Sequence, residues 1–340
     1  MPKNISVLTR TTTVPDDASK MSEAQLLSTL KWCGIGVTRK KLERIFDRTL
    51  SINQLVEFLI RRYGESGQGY VDLNFVTEAL FELSHRWFSA KVSFDRLHDK
   101  MDDSYDGDIG SKRGLDSWLA VWKEALQLQE VTSIRTVREF DNNFPGIYSL
   151  QKWFDIFDKN LGNAGISDPQ YYRLRISVSE EAIKRFGVGG AQELDRFTDR
   201  RRTGIAASYF NLGERDKTDE LYRKWLKTNP RWGTGWCGWA QNYSLAEPPI
   251  FDKAEQILKE GLAVDGVTQK NVLIEGLIQV YEKQERHQEA DLLLDQYDFN
   301  DDTDYDCEDL DDFADDRALL EFWDDETLLN AMSELILTPK

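Results

Sequence analysis

TGIAASYFNLGERDKTDELYRKWLKTNP, residues 203–230, is two helical segments broken at Leu212-Gly213 and stopped at Pro230. Its apolar and aromatic positions are Ile205, Ala206, Tyr209, Tyr222 and Trp225. The pattern recurs downstream. Trp236, Ala240, Tyr243, Ala254 and Leu258 carry it a second time, and Leu277, Tyr281, Ala290 and Leu294 a third. Thr218, Ala254 and Ala290 are spaced by 36 residues, and Tyr209, Tyr243 and Tyr281 by 34 and 38. A period of that length predicts helix pairs stacked into an array, an architecture whose usual work is to bind other macromolecules.

Packing explains the residue types. Antiparallel helices that cross closely need small residues, which Ala206, Ala240, Ala254 and Ala290 supply. Large residues such as Tyr209, Tyr222, Trp225, Trp239 and Tyr243 fill the space between neighbouring pairs. These positions resemble the tetratricopeptide-repeat family. The second copy carries two extra residues around Glu247-Pro248-Pro249, and the third has Ile278 where a small residue is expected. Segments 94–128, 150–186 and 229–262, with 229–240 and 119–123 most characteristic, are similar to bacterial tetratricopeptide-like proteins that often end in a SEC-C zinc motif. No cysteine cluster follows Cys307, so that motif and its metal do not carry over. The resemblance implies an all-α solenoid of stacked antiparallel helix pairs, an adaptor-type role and no chemistry.

Upstream of the repeats the chain also reads as helix. Leu26, Leu27 and Leu30 share one face, and Thr38 is placed to cap a helix over 39–46. Ser51 and Gln54 have capping-box spacing for a helix reaching Tyr63. Gly64–Gly69 breaks the pattern, and 71–88 resumes it. From residue 92, Phe94, Leu97, Met101 and Tyr105 form one stripe and Leu115, Trp118, Leu119, Trp122 and Leu126 the next. A further pair follows, with Trp153, Phe154 and Phe157 set to face Tyr172, Ile176 and Ile183. No segment alternates with period two. The expected organisation is an arm at 1–22, a helical N-terminal region at 23–90, repeats at 91–298, and an acidic segment with a terminal capping helix at 299–340.

Charge is unevenly distributed. The 340 residues carry a formal net charge of −17, and 301–326 alone holds fourteen Asp or Glu against Arg317. Residues 1–62 are basic, with eleven Lys or Arg against six Asp or Glu. Tyr305, Phe313, Phe322 and Trp323 interleave the acidic run. A plain solubilising tail does not need these rings, whereas a cap on the array or a docking segment for a basic partner does. Three scattered cysteines, no apolar span and no secretory-type start point to the cytoplasm.

Motifs that would carry chemistry are sparse. Asp102-x-Ser104-x-Asp106-Gly107-x-Ile109 follows the start of a calcium loop, but Arg113 occupies the twelfth position, where a chelating carboxylate belongs. A helix-to-helix turn is the reading adopted, with no metal and no cofactor. His85, His98 and His287 are isolated, and Cys237 lies between tryptophans as a small hydrophobe. The partner class expected is therefore a protein or peptide, basic where it meets the acidic segment. The residues placed by repeat position on the concave face are Asn211, Arg215, Lys224, Arg231, Gln241 and Asn242. The competing class is a nucleic-acid-linked regulator that presents Arg39, Lys40, Lys41 and Arg44 on one short helix, with the acidic segment as an internal competitor.

Overall fold

The computed structural model describes residues 18–63, 73–88, 91–105, 107, 109–132, 134–143, 149–187 and 196–296; among them there is no strand. The expected capping helix and the rings of the acidic segment lie outside the described residues. The chain divides into two compact units between Leu221 and Tyr222.

The first unit opens with a 3-10 turn at Ala18–Lys20 and α1 (Glu23–Trp32), α2 (Arg39–Arg48), α3 (Ile52–Tyr63) and α4 (Leu73–Trp87). These share one core built from Leu26, Leu30, Leu42, Phe46, Leu55, Leu59, Val76 and Leu80. Ala18 and Met21 belong to that core, and Arg86 donates to the carbonyls of Ser19 and Met21. Packing therefore begins before the arm boundary expected at residue 22. Ser22 and Gln25 form a full capping box on α1. Thr38 stands at the start of α2 without a side-chain cap bond, contrary to expectation. Gln54 donates to Asn143 instead of closing the box expected with Ser51. The acceptor for the first amide of α3 comes from far along the chain: Ile52 N–H donates to Asp95 Oδ2 at 2.9 Å.

A second core follows on α5 (Phe94–Tyr105), α6 (Lys112–Glu130), α7 (Val137–Asp141), α8 (Leu150–Ser167), α9 (Gln170–Phe186) and the start of α10 (Arg196–Asn211). Trp118 and Trp153 stack at 4.7 Å. Both indole N–H groups converge on Ser104, Trp118 on its carbonyl and Trp153 on its hydroxyl. Edge-to-face and tilted pairs among Trp122, Phe154, Phe186 and Phe197 continue the core toward α10. The face of α9 in this core is Val178, Ala182 and Phe186 rather than the expected Tyr172, Ile176 and Ile183. Tyr172 lies instead against Gly165, where any Cβ would meet its ring at 2.4 Å.

Between α8, α9 and α10 lies a buried charged network. Asp158 accepts from Arg175 at 2.5 Å and from the Ser179 hydroxyl at 3.0 Å. Arg201, only 1% exposed, pairs with Asp155 and lies over the rings of Phe154 and Phe197 at 4.6 and 5.1 Å. Burial opposes the charge on Asp158, but Arg175 and Arg201 outweigh it and hold the carboxyl below the usual range. Glycine is required here: a Cβ at Gly204 would come within 2.9 Å of the Arg175 guanidinium, and one at Gly162 equally close.

The helix α11 (Arg215–Thr228) crosses the boundary. The second unit continues with α12 (Gly233–Ser244), α13 (Phe251–Leu262), α14 (Lys270–Lys283) and α15 (His287–Gln296). Consecutive helices pair as α12 with α13 and α14 with α15, and α14 also packs on both α12 and α13. Ala240, Ala254 and Ala290 are buried as the crossing argument requires. Ile278 is buried too, and the close approach of α14 falls at Gly276 instead, beside Leu258 and Cys237.

Two predictions follow from the first unit. Asp158→Ala should cost about 3–5 kcal/mol in urea unfolding, because Arg175 is left buried without its counter-charge, whereas Asp158→Leu with Arg175→Met should cost much less. The second concerns pH. Burial pushes the carboxyls of Asp95 and Asp141 up to about 6, against the amides of Ile52 and Leu150 that pull them down. The folded state thus takes up protons before the unfolded state does, and these two groups lose stability as pH rises from about 4 through about 6. Asp95→Asn with Asp141→Asn should raise Tm near neutral pH relative to wild type and flatten its dependence across that window.

Candidate functional site

A concavity lies in the second unit, on the C-terminal half of α11, on α12 and on α13. Trp236 and Trp239 sit three residues apart on α12, so one turn of helix presents both indoles side by side, with centroids 6.0 Å apart. Tyr222 stacks on Trp239 at 5.9 Å, and Trp225 meets Tyr222 edge-on. The Trp236 N–H donates to the Pro230 carbonyl at 2.8 Å, which ties the ring to the turn before α12. Gly261 lets α13 approach, since a Cβ there would fall 2.7 Å from the Trp236 ring.

Arg223, Leu226, Lys227, Trp236, Trp239 and Glu260 line a groove of about 380 Å³. Its lining sets two indoles and Leu226 among Arg223, Lys227 and Glu260. Arg223 and Lys253 stand over the Trp239 ring at 5.7 and 5.8 Å. These are cation–π contacts. Glu260, the carboxylate on the rim, accepts from Gln256 at 2.8 Å. Lys259 on the same helix is committed elsewhere, to Glu255 at 2.6 Å. Glu255 also binds Arg286 at 2.5 Å and accepts from the Tyr281 hydroxyl. The hydrogen bond from Arg286 is the main cause that draws its carboxyl down to about 2. The surroundings offer shape, apolar surface and positive charge, and no arranged nucleophile or acid–base pair.

Chemistry elsewhere is equally confined. The hollow beside Asp95 and Lys91 has a volume of about 10 Å³, space for a single water. Ser104, third in the calcium-loop pattern, spends its hydroxyl on Met101 and Trp153. Ser111 caps α6, and positions 106 and 108 of the calcium-loop pattern lie outside the described residues. Among the described residues no cluster of three His, Cys, Asp or Glu is arranged to hold a metal. His85 lies 3.4 Å from Asp99, and burial pushes the Cys237 thiol up to about 12.

The expected concave-face residues do not converge on this groove. Asn211 and Arg215 belong to the first unit, at the end of α10 and the start of α11, with Arg215 over the Phe210 ring. Arg231 donates to the Asp265 carbonyl, and Asn242 turns back on Gly238. Lys224 and Gln241 are exposed. The groove's own basic residues, Arg223 and Lys227, flank Lys224 in sequence. The missing signal was the register of α11, where Tyr222, Leu226 and the two tryptophans fix which basic residues border the floor. On α2, Arg39 is held by Glu23 and Glu43 and lies over Trp87. Lys41 is engaged by Tyr63. Lys40 and Arg44 stay exposed. Tyr305, Phe313, Phe322 and Trp323 lie outside the described residues.

No described helix is long and apolar enough to cross a membrane. Comparison with protein-family models, with curated proteins and with solved structures finds no match in any of the three.

The groove separates residues that build it from residues it offers. Trp239→Ala should destabilise the second unit by about 3–5 kcal/mol, as loss of a buried aromatic does. Lys227→Ala should shift unfolding by less than about 0.5 kcal/mol. Urea titrations followed by tryptophan emission and far-UV dichroism distinguish the two.

Proposed function

We propose that the chain is a non-enzymatic protein–protein interaction adaptor, built as a tetratricopeptide-like solenoid of stacked antiparallel helix pairs and acting in the cytoplasm. The observation that carries this reading is the groove on α11–α13. Two indoles and Leu226 beside Arg223 and Lys227 suit a peptide that brings both apolar side chains and carboxylates. The 34–38-residue spacing of the tyrosines and the buried alanines at the repeat positions support the solenoid.

Arg223→Glu with Lys227→Glu reverses the rim while leaving the floor intact. In co-purification from native lysate at low salt, wild-type protein should retain a stoichiometric protein partner that this variant loses by about tenfold or more. A variant that retains every partner unchanged overturns the reading. So does an eluate of nucleic acid that depends on Lys40 and Arg44, which would establish the competing regulator.

A further inference from the structure

The outward face of α2 departs from the charge pattern of the other helices. Leu42 and Phe46 turn into the core. On the opposite side Lys40, Arg44 and Arg48 stand four residues apart in one exposed row, ~12 Å from end to end. Among the described residues, no ion pair or hydrogen bond joins any of the three to a partner. Other helices set a carboxylate at that spacing: Arg86 has Glu82, Arg185 has Glu181 and Lys259 has Glu255. Like charges four residues apart destabilise a helix instead. Lys40 and Lys41 also lie in the first turn, at the positive end of the helix dipole, with no acidic residue there and no cap bond from Thr38. Glu43 is taken by Arg39, and Asp47 makes no ion pair with the row among the described residues. A helix that keeps uncompensated cations against all of these costs suits an anionic partner.

We infer that the row of Lys40, Arg44 and Arg48 receives the acidic segment, residues 301–326, of a second copy of this chain, and that two copies exchange these contacts as a dimer. The row shares no residue with the α11–α13 groove and is independent of the adaptor reading. Charge selects the occupant first: the segment carries fourteen carboxylates against Arg317. Spacing selects it next. Asp304, Glu308, Asp312 and Asp316 recur every four residues, the interval of the row. Laid along α2 as a helix, such a segment would set carboxylate against cation over successive turns. A nucleic acid would meet the same cations, but α2 has no Asn or Gln, and its one aromatic, Phe46, is buried, so nothing on its outward face reads a base. Reciprocity selects a second copy. α2 lies in the first unit and the acidic segment follows the last described helix of the second, so every chain carries one row and one segment. Two copies that each lend a segment to the other's row satisfy both, and a two-fold arrangement of that kind closes without leaving a free end.

Ion pairs at an exposed row are screened by salt, which sets how the dimer is tested. Sedimentation velocity of the full-length chain at about 100 μM should show a dimer at about 50 mM salt and a monomer at about 500 mM. Reversing the row with Lys40→Glu, Arg44→Glu and Arg48→Glu should weaken dimerisation by about tenfold or more. Neutralising the segment with Asp304→Asn, Glu308→Gln, Asp312→Asn and Asp316→Asn should do the same. Mixed together, the two variants regain one contact and should associate with each other more tightly than either does with itself. A carbodiimide, which joins a lysine amine to a neighbouring carboxylate, should link Lys40 to residues 301–326. In a mixture of unlabelled and isotope-labelled chains, those links should join one of each. Far-UV dichroism of every variant confirms that the fold is kept.

A monomer at low salt, a dimer that survives reversal of the row, carbodiimide links confined to one chain, or nucleic acid held by the row in place of the segment overturns the inference. The adaptor reading fails separately. Arg223→Glu with Lys227→Glu should leave the dimer unchanged, so loss of an outside partner in that variant and loss of the dimer in the row variant are distinct outcomes.

Discussion

Burying a carboxylate and a guanidinium together is costly, and the three helices α8, α9 and α10 are arranged around that cost. Asp158 is met by Arg175 and the Ser179 hydroxyl, while Arg201 lies across two phenylalanine rings with Asp155 as its counter-ion. An apolar trio of similar volume would pack these helices at least as strongly. The charged set adds register. Sliding α9 by one turn would move Arg175 about 5.4 Å from its partner and leave two buried charges without compensation. The glycines at 162 and 204 belong to the same solution, because the guanidinium occupies the volume that a methyl group would need.

The second unit is ordered by a different kind of contact. Its tryptophans and tyrosines pack as offset and edge-on pairs, and its cations lie over ring faces. A ring face can be buried on one side and receive a cation on the other, so Trp239 serves as core for α12 and as anchor for Arg223 and Lys253. Aromatic density accordingly produces both stability and a cationic, apolar surface from one set of residues. That differs from the first unit, where the charges are enclosed and Asp158 and Arg201 are buried.

The helical character was legible because period-3.6 stripes and glycine breaks agreed along the chain, although the expected caps at Thr38 and Ser51–Gln54 did not form. Ala240, Ala254 and Ala290 were also legible, since a close crossing tolerates only small residues. Caps supplied at long range were not. Nothing local to Ser51–Ile52 announces that Asp95 will accept the first amide of α3. The charged network was readable in principle and was missed: Asp158 lies within the stripe Phe154, Phe157, Leu161, and Arg175 between Tyr172, Ile176 and Ser179. A charge at a core position of an amphipathic helix signals a buried partner, and apolar patterning passes over it. The groove was half legible. Trp236 and Trp239 stood out, but the choice between Lys224 and its neighbours depends on the rotation of α11, which basic residues on three sides of a helix do not specify.

Rotation of α11 also decides what the groove can select. Arg223 and Lys227 are four residues apart and so share a face, with Leu226 lining the same hollow. Lys224 points about 100° away from Arg223 and cannot border the same floor. On the adaptor reading proposed above, a peptide ligand would place its carboxylates about one helical turn apart, near 6 Å, with apolar surface between them. A uniform polyanion satisfies the charges and forfeits the floor; a purely apolar peptide does the reverse. On that reading, discrimination would come from requiring both, because desolvating Lys227 beneath an apolar ligand without a counter-ion costs more than the ring contact returns.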